Sequence, residues 1–507
     1  MEDKVLLVVA VAVMIVVLSK LKSLLAAKPK LNLPPGPWTL PVIGSIHHLV
    51  NSPSIFRAMR DLAQKHGPVM MLRLGEVPTV VVSSPEAAMA VTKTHDTTFA
   101  DRFANATFSV YSYNCTDITF APYGERWRQL RKICTLELLS AARVQSFRRI
   151  REEEVARFVQ QLAAAAGAGA AVNVTKMISR FMNDAFVRES VGSRCKYQDE
   201  YLDVIDTMVR HSSGMSLADI FPSSKLVQML DTAPGRALAA REKMQRIIAQ
   251  IVQEKKEAMD RGDQAAAAGN EGFVSVLLRL QKERSTTIPL TDETIFAILF
   301  DMFAAGSETS STALNWCMTE LVRSPAAMAK AQAEVREAFK GKVTITEDDL
   351  AGLSYLKLVI KETLRLHTPL PLLLPRLCRE TTQIMGYDIP KGTAVFLNVW
   401  AICRDPKCWD DAEEFKPERF KNINLDYKGT NYEYLPFGSG RRICPGINLG
   451  LANIEFALAS LLYHFDWKLT DGMEIKDVDA WETNGVIGKK KTSLILHPVT
   501  FIAPANA

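Results

Sequence analysis

PFGSGRRICPG, residues Pro436 to Gly446, places a cysteine where a strand-like run meets a helix. Gly438 and Gly440 are expected to let the backbone turn tightly and pass close to a flat ligand, with Gly446 doing the same beyond the cysteine, because glycine takes positive φ without a Cβ penalty. Pro445 suits the first position of the helix that starts around Ile447. Backbone N–H groups at such a start, together with the guanidinium groups of Arg441 and Arg442, would favour a metal-ligating thiolate at Cys444. A lone cysteine among glycines is more often a buried, inert thiol. The weight therefore rests on the whole pattern Phe437-x-x-Gly440-x-Arg442-x-Cys444-x-Gly446.

That pattern resembles the haem-ligand loop of the cytochrome P450 family. The resemblance implies haem b with Cys444 as the axial thiolate on iron, which pushes electron density toward bound dioxygen. It also implies that Phe437, Arg442 and Gly446 lie against the haem.

A second stretch supports this. Thr291 is a plausible N-cap, followed by Asp292 and Glu293 in the first turn of a helix that runs to Ser324, before Pro325. Such a helix would cross about 45 Å, yet its centre, AAGSETSS from Ala304 to Ser311, is small and polar. Ala305 and Gly306 would let a flat ligand approach the backbone, while Glu308 and Thr309 place a carboxylate and a hydroxyl where they could relay protons. A glycine-kinked helix with a solvated patch would read the same way. Beside Cys444, however, Ala305-Gly306-x-Glu308-Thr309 resembles the family's oxygen-activation motif.

Composition sets the outer bounds. With 507 residues, 48% of them hydrophobic, and a net charge of +5, the chain has ample core for one large globular domain or a few smaller ones. Its eight cysteines form no C-x-x-C pair, which argues against a zinc cluster and a disulfide framework and for a reducing compartment. The small positive excess, with no basic tract interleaved with aromatics, excludes nucleic acid as an expected partner.

At the N-terminus, Val5 to Leu18 is an uninterrupted apolar run followed by Lys20, Lys22, Lys28 and Lys30. A spanning helix needs ~20 residues, so the run must borrow Leu21, Leu24 and Leu25 while Lys20 and Lys22 snorkel. Basic residues after the run favour an uncleaved anchor that leaves the rest cytosolic. Residues 1–30 are thus expected to be the anchor and its basic flank, and 31–507 the catalytic domain. That domain opens with the proline-rich hinge LNLPPGPWTLPVIG, residues 31–44, which resembles the hinge of microsomal family members and implies an endoplasmic reticulum location.

Between these ends, apolar spacing predicts a helix from Ser54 to Gly67, and Val69 to Gly75 with Thr79 to Ser84 reads as a β-hairpin, with Pro85 opening a further helix. Asp101 to Gly124 lacks a clean period and reads as a long loop. Gly124 to Ser140 reads as a helix with Trp127 and Arg131 one turn apart, a pair that in the resembled family contacts a haem propionate. Ala163 to Ala171 and Gly262 to Gly272 read as surface connections. Charged helical periodicity covers Arg236 to Arg261.

In KETLRLHTPL, Glu362 and Arg365 are one helical turn apart, and FKPERF adds Arg419. The resemblance makes these three the ion-pair set beneath the haem, and Arg376 a second propionate contact. The expected substrate pocket is apolar: Phe108, Tyr111, Phe120, Ala305, Leu370, Leu372, Leu373, Val486 and Ile487. The fold implied is mainly α with small β-sheets, through to the segment Thr492 to Val499.

No glycine-rich dinucleotide fingerprint is present, so NADPH-cytochrome P450 reductase is the expected electron donor, received on Arg126, Arg128 and Lys132. The chain is expected to act as a monomer. PPGPWTLPVIGSIHHL and FAPYGERWRQLRKI resemble grass enzymes of specialised and defence metabolism that oxidise sesquiterpenes or diterpenes with O2. Aromatic or indole-derived metabolites are the alternative substrates. A haem-thiolate isomerase or dehydratase would have no use for Glu308 and Thr309, and a non-catalytic haem protein none for the anchor and basic helix.

Overall fold

The computed structural model describes residues 31–504 except 51, 195, 212–215 and 262–270. The expected anchor, residues 1–30, and most of the tract 262–272 lie outside the described residues. Among the described residues no helix is long and apolar enough to cross a membrane.

The principal helices are α1 (Ile55–His66), α2 (Ala106–Tyr111), α3 (Glu125–Lys132), α4 (Arg148–Gly167), α5 (Val174–Val191), α6 (Gln198–His211), α7 (Ala233–Asp260), α8 (Asp292–Arg323), α9 (Pro325–Ala338), α10 (Ser354–Leu366) and α11 (Ile447–His464). The strands are β1 (Val69–Leu74), β2 (Val77–Val82), β3 (Asp101–Arg102), β4 (Val172–Asn173), β5 (Arg376–Leu377), β6 (Thr382–Ile384), β7 (Tyr387–Ile389), β8 (Ala394–Leu397), β9 (Phe465–Leu469) and β10 (Ile495–Thr500). They form a five-stranded sheet in the order β1-β2-β8-β5-β3, a three-stranded sheet β4-β10-β9 and the hairpin β6-β7. β2 and β8 run parallel, with Val80 opposite Val395; the other pairings of the large sheet are antiparallel. A mainly helical fold with small sheets was the expectation, and it holds.

α8 organises the packing. Thr291 accepts a hydrogen bond from the Thr294 N–H at 3.2 Å, satisfying one of the orphan donors of the first turn. The helix runs 32 residues to Ser324, where Pro325 starts α9. Its first half buries Ile295, Ile298, Leu299 and Phe303 in one hydrophobic cluster; its second half buries Leu314, Cys317, Met318 and Leu321 in another. Each such side chain contributes roughly 1.5–3 kcal/mol on burial. The polar centre lies between the two clusters, where α5 and α11 pack on either side. A Cβ at Gly306 would collide with the ring of Phe186 on α5. This glycine therefore serves a helix–helix approach, and it also borders the cavity beside Cys444.

Two local expectations are corrected. The stretch 101–124 is no simple loop: it contains β3 and α2, the latter capped by Asn105, whose side chain accepts from the Phe108 N–H at 2.7 Å. Aromatic side chains at positions without a helical period hid it. Ala163 to Gly167 completes α4, because alanine favours the helix, and only 168–171 connects. The proline-rich hinge also packs on the large sheet: the Met71 N–H donates to the Pro35 carbonyl at 2.8 Å, and Gly44 bridges to Leu74.

Candidate active site

The Cys444 loop is held from both directions. The Cys444 N–H donates to the Phe437 carbonyl at 3.0 Å, and the Gly446 N–H points at the Cys444 sulfur at 3.4 Å. The helix after the loop begins at Ile447 with Gly446 as its N-cap, so Pro445 stands before the helix rather than at its first position. Gly446 has an ordinary negative φ of −94°. Gly440, at φ 69°, is where glycine is required, since a Cβ there would strike the Thr92 carbonyl. Its close approach is to the Ala90–Thr94 turn, not to a ligand.

The two arginines expected to polarise the sulfur are engaged elsewhere. Arg441 pairs with Asp96 at 2.7 Å and donates to the Tyr123 hydroxyl at 3.1 Å. Arg442 donates to the carbonyls of Ala100, Ile118, Thr119 and Ala121. Burial pushes the Cys444 thiol up, and only the Gly446 N–H and the charge of Arg131 work against it. A coordinating metal removes a thiol's proton outright.

Around that sulfur lies a cavity of about 680 Å³, bordered by Phe437, Gly446, Ala305, Gly306, Thr309 and Leu449. Beside it, four guanidinium groups converge. Arg376 donates to the Ser439 carbonyl at 2.9 Å and lies 3.5 Å from Asp96. Burial lowers Arg376 to about 10, and burial with the charge of Arg376 lowers Arg442 to about 10. Arg131 is lowered by burial. Arg102, a residue the sequence reading passed over, is pushed well below the arginine range by burial and then by Arg376, Arg442 and Arg131. Its Nη1 donates to the Leu374 carbonyl at 2.6 Å, but its Nε is buried without a hydrogen-bond partner. Buried cations crowded in this way call for anions among them. A flat macrocycle with two carboxylates and an iron over the sulfur fits both the cavity and this donor set.

A second cavity, about 870 Å³, meets α8 on the same face as the first and shares Asp301, Ala305 and Thr309 with it. Phe108, Tyr111, Phe120, Ala305, Leu370, Val486 and Ile487 line it. Leu372 and Leu373 do not. They face a neighbouring cavity with α1 and β2, since the prolines turn the segment so that Leu370 and Leu374 point inward. Ser112, Asp117, Thr119 and Asp301 line it too, with Phe300, Ile205, Met208 and Val209. The last three lie on α6, whose distance in sequence from Cys444 gave no signal. Phe108 and Phe120 stack with centroids 4.9 Å apart.

Of the two α8 polar residues, Thr309 borders both cavities, its hydroxyl donating to the Ala305 carbonyl at 2.7 Å. Glu308 is buried but borders neither; its carboxylate is 2.6 Å from Lys489 Nζ. Glu362 is fully buried. It accepts from Arg365 Nε at 2.8 Å, from Arg419 Nε at 2.8 Å and from the Lys416 N–H at 2.8 Å, bringing together the three residues expected to pair.

The sequence profile described as Cytochrome P450 matches residues 34–496. The chain belongs to the cytochrome P450 family. Haem b with a cysteine thiolate on iron, and monooxygenase chemistry, come with that membership. The P450 chain is 69% identical to a dolabradiene monooxygenase and 67% identical to a zealexin A1 synthase, both of Zea mays and both matched over the full length of each chain. It is 59% identical to an ent-cassadiene hydroxylase of Oryza sativa subsp. japonica, over all of this chain and 99% of that one. A zebrafish cytochrome P450 solved with abiraterone superposes with a TM-score of 0.74 at 22% identity, covering 89% of this chain and 99% of its own.

Proposed function

We propose that this P450 oxygenates a sesquiterpene or diterpene olefin in plant specialised metabolism. The observation that carries the reading is the 870 Å³ cavity, apolar on nearly every side and opening through Ala305 and Thr309 onto the Cys444 cavity. A hydrocarbon of fifteen or twenty carbons offers little polar surface, which suits a wall that is apolar apart from Tyr111, Ser112, Asp117, Thr119, Asp301 and Thr309. The names of the maize and rice relatives, dolabradiene monooxygenase and ent-cassadiene hydroxylase among them, point the same way.

When bound, the haem supplies the reductive splitting of dioxygen, with one oxygen atom going to the substrate and the other to water. The chain does the rest. Arg102, Arg131, Arg376 and Arg442 would hold the propionates, and Cys444 the iron; the one N–H of Trp127 is already given to the Ile118 carbonyl. Phe108, Phe120, Val486 and Ile487 would press the hydrocarbon toward Ala305 and exclude water. Thr309 would pass protons at its hydroxyl oxygen, with Glu308 as the acid behind it.

Electrons would arrive from NADPH-cytochrome P450 reductase at Arg128 and Lys132, which are exposed on α3. Arg126 is turned inward, donating to the Thr116 carbonyl and to Thr294 Oγ1, and is left out of that surface. The reading further places the protein as a monomer on the endoplasmic reticulum membrane, held by residues 1–30 with the catalytic domain cytosolic. The test is a panel of sesquiterpene and diterpene olefins, with indole and phenolic compounds alongside, offered to microsomes containing the protein and reductase. Oxygenated terpene formed only with NADPH supports the proposal. Turnover of the aromatic compounds alone overturns it.

A further inference from the structure

Sequence positions 489–491 are three consecutive lysines with three different surroundings. Lys491 is exposed. Lys490 is buried and pairs with Asp479 at 2.8 Å. Lys489 reaches α8, where its ammonium meets the Glu308 carboxylate at 2.6 Å, the lysine side chain 26% exposed and the glutamate 10%. The pair thus spans from near solvent to the buried centre of the long helix.

The turn that carries Lys489 is fixed in place. The Trp316 indole N–H, from α8, donates to the Gly488 carbonyl at 2.8 Å, and the Gly488 N–H donates to the Pro369 carbonyl at 2.9 Å. The Thr483 N–H donates to the Lys489 carbonyl at 2.7 Å. Just before Gly488, Val486 and Ile487 line the substrate cavity. One rigid turn therefore presents two apolar side chains to the substrate and one cation to Glu308.

We propose that Lys489 is a positioning residue for proton delivery, holding the Glu308 carboxylate outside both cavities and oriented toward the side from which protons enter. The proposal rests on the reading of Glu308 as the acid behind Thr309. In the arrangement seen, Glu308 borders neither cavity, whereas Thr309 borders both. A proton from solvent bonds to a Glu308 oxygen, cancelling the carboxylate's charge and loosening the pair with Lys489. The neutral acid then gives that proton to the Thr309 oxygen, and the hydroxyl releases its own proton into the cavity. Glu308, a carboxylate again, returns to the ammonium. One proton enters, one leaves, and no electrons move. An ammonium at this place makes the return favourable, because a buried carboxylate without a partner is costly.

The experiment compares Lys489→Met, Lys489→Gln, Lys489→Arg, Glu308→Gln and the Lys489→Met/Glu308→Gln double variant, with Lys491→Met as a control, in full-length protein with reductase at equal haem content. The readouts are product formed per NADPH oxidised and the solvent isotope effect on product formation. Loss of Lys489's charge in either neutral variant should lower the ratio by ~10-fold, as loss of an orienting partner does, and raise the isotope effect. Lys489→Arg should stay within about 2-fold of wild type by the same measure. The double variant should be no worse than Glu308→Gln. Neutral variants that keep the wild-type ratio and isotope effect while Glu308→Gln lowers the ratio overturn the role of Lys489, as do losses that multiply in the double variant. An unchanged Glu308→Gln overturns the underlying acid reading and the proposal with it.

Discussion

Trp127 and Arg442 donate to one carbonyl: the indole Nε1 reaches the Ile118 oxygen at 3.1 Å and Arg442 Nη1 reaches it at 3.2 Å. The guanidinium also lies over the indole, 4.5 Å from its centroid. Helix α3, the Cys444 loop and the segment around Ile118 are thereby tied at one point. Arg442→Ala should therefore unhook two of these elements and remove a cation from the anion-binding set, giving protein with much lower haem per chain. Trp127→Phe keeps the ring under Arg442 and should lose less haem than Arg442→Ala. Haem content by pyridine haemochrome, per chain, checks the order; equal retention in both variants would remove the shared-carbonyl argument.

Cys444→Ser leaves the backbone bond from the residue 444 N–H to the Phe437 carbonyl intact and puts a hydroxyl where the Gly446 N–H met the sulfur. The fold should persist, with an alcohol in place of the sulfur. The reduced carbon monoxide complex should then lack the band that gives the family its name. Persistence of that band in the serine variant would assign the ligand to another residue.

Asp117 and Asp301 form a buried acid pair lining the 870 Å³ cavity. Asp301 accepts from the N–H groups of Ile118 and Thr119 at 3.0 Å each, and Asp117 from the Phe120 N–H at 2.7 Å. Burial, then the charge of Asp301, holds the Asp117 carboxyl well above the usual carboxylate range, and burial raises Asp301 as well. The folded chain thus keeps a proton that the unfolded chain gives up at lower pH. The stabilisation is fully present below the ordinary aspartate value and is lost as pH rises through the raised one. Asp117→Asn mimics the protonated acid at every pH, accepting from Phe120 and donating to Asp301. Thermal melts from pH 5 to pH 8 should show a smaller decline in the variant than in wild type. A parallel decline in both would show that the pair carries no shared proton.

Glu362 has no exposure to solvent, and both its oxygens are occupied by Arg365, Arg419 and the Lys416 N–H. Arg365 in turn donates to the carbonyls of Cys403, Ala412 and Glu414, so the set fixes the 403–416 segment to α10. Glu362→Gln leaves two buried guanidiniums without a counter-charge. Breaking such a set from one side costs roughly 3–5 kcal/mol. Urea unfolding followed by tryptophan fluorescence should register a loss of that order, and a loss below about 1 kcal/mol would place the set among the weak surface pairs.

Much of this arrangement was legible in the chain because it is local. Thr291, the polar centre of α8 and Pro325 delimit one helix by cap, content and stop, and PFGSGRRICPG fixes a loop within eleven residues. The partners that complete the site come from far along the chain, where no spacing rule reaches. Lys489 sits 181 positions from Glu308, and Arg102 meets Arg376 only because β3 pairs with β5. Arginines 441 and 442 misled for the same reason. Nearness in sequence suggested the sulfur, whereas Asp96 and the Ala100–Ala121 carbonyls compete for them more strongly in space. Gly306 looked like room for a ligand; it does border the Cys444 cavity, but its missing Cβ is what lets Phe186 pack there.

Thr309 separates packing from chemistry most cleanly. Its hydroxyl donates to the Ala305 carbonyl one turn back, at 2.7 Å, and its side chain borders both cavities. That hydrogen bond adds little to the fold, on the order of 1 kcal/mol, so Thr309→Ala should retain haem and the spectral change on substrate binding. What the variant lacks is an oxygen between Glu308 and the cavity that can take one proton and release another. Product formation should fall by ~10²-fold, the low end for a positioned acid–base group, while NADPH continues to be oxidised and the electrons leave as hydrogen peroxide. Thr309→Ser restores the hydroxyl without the methyl and should recover most of the loss, which a packing role for the methyl would not allow. The ratio of product to NADPH oxidised, at saturating substrate in wild type and both variants, is the deciding quantity. If alanine kept the wild-type ratio and rate, Thr309 would be a small residue that merely fits between α8 and the cavity.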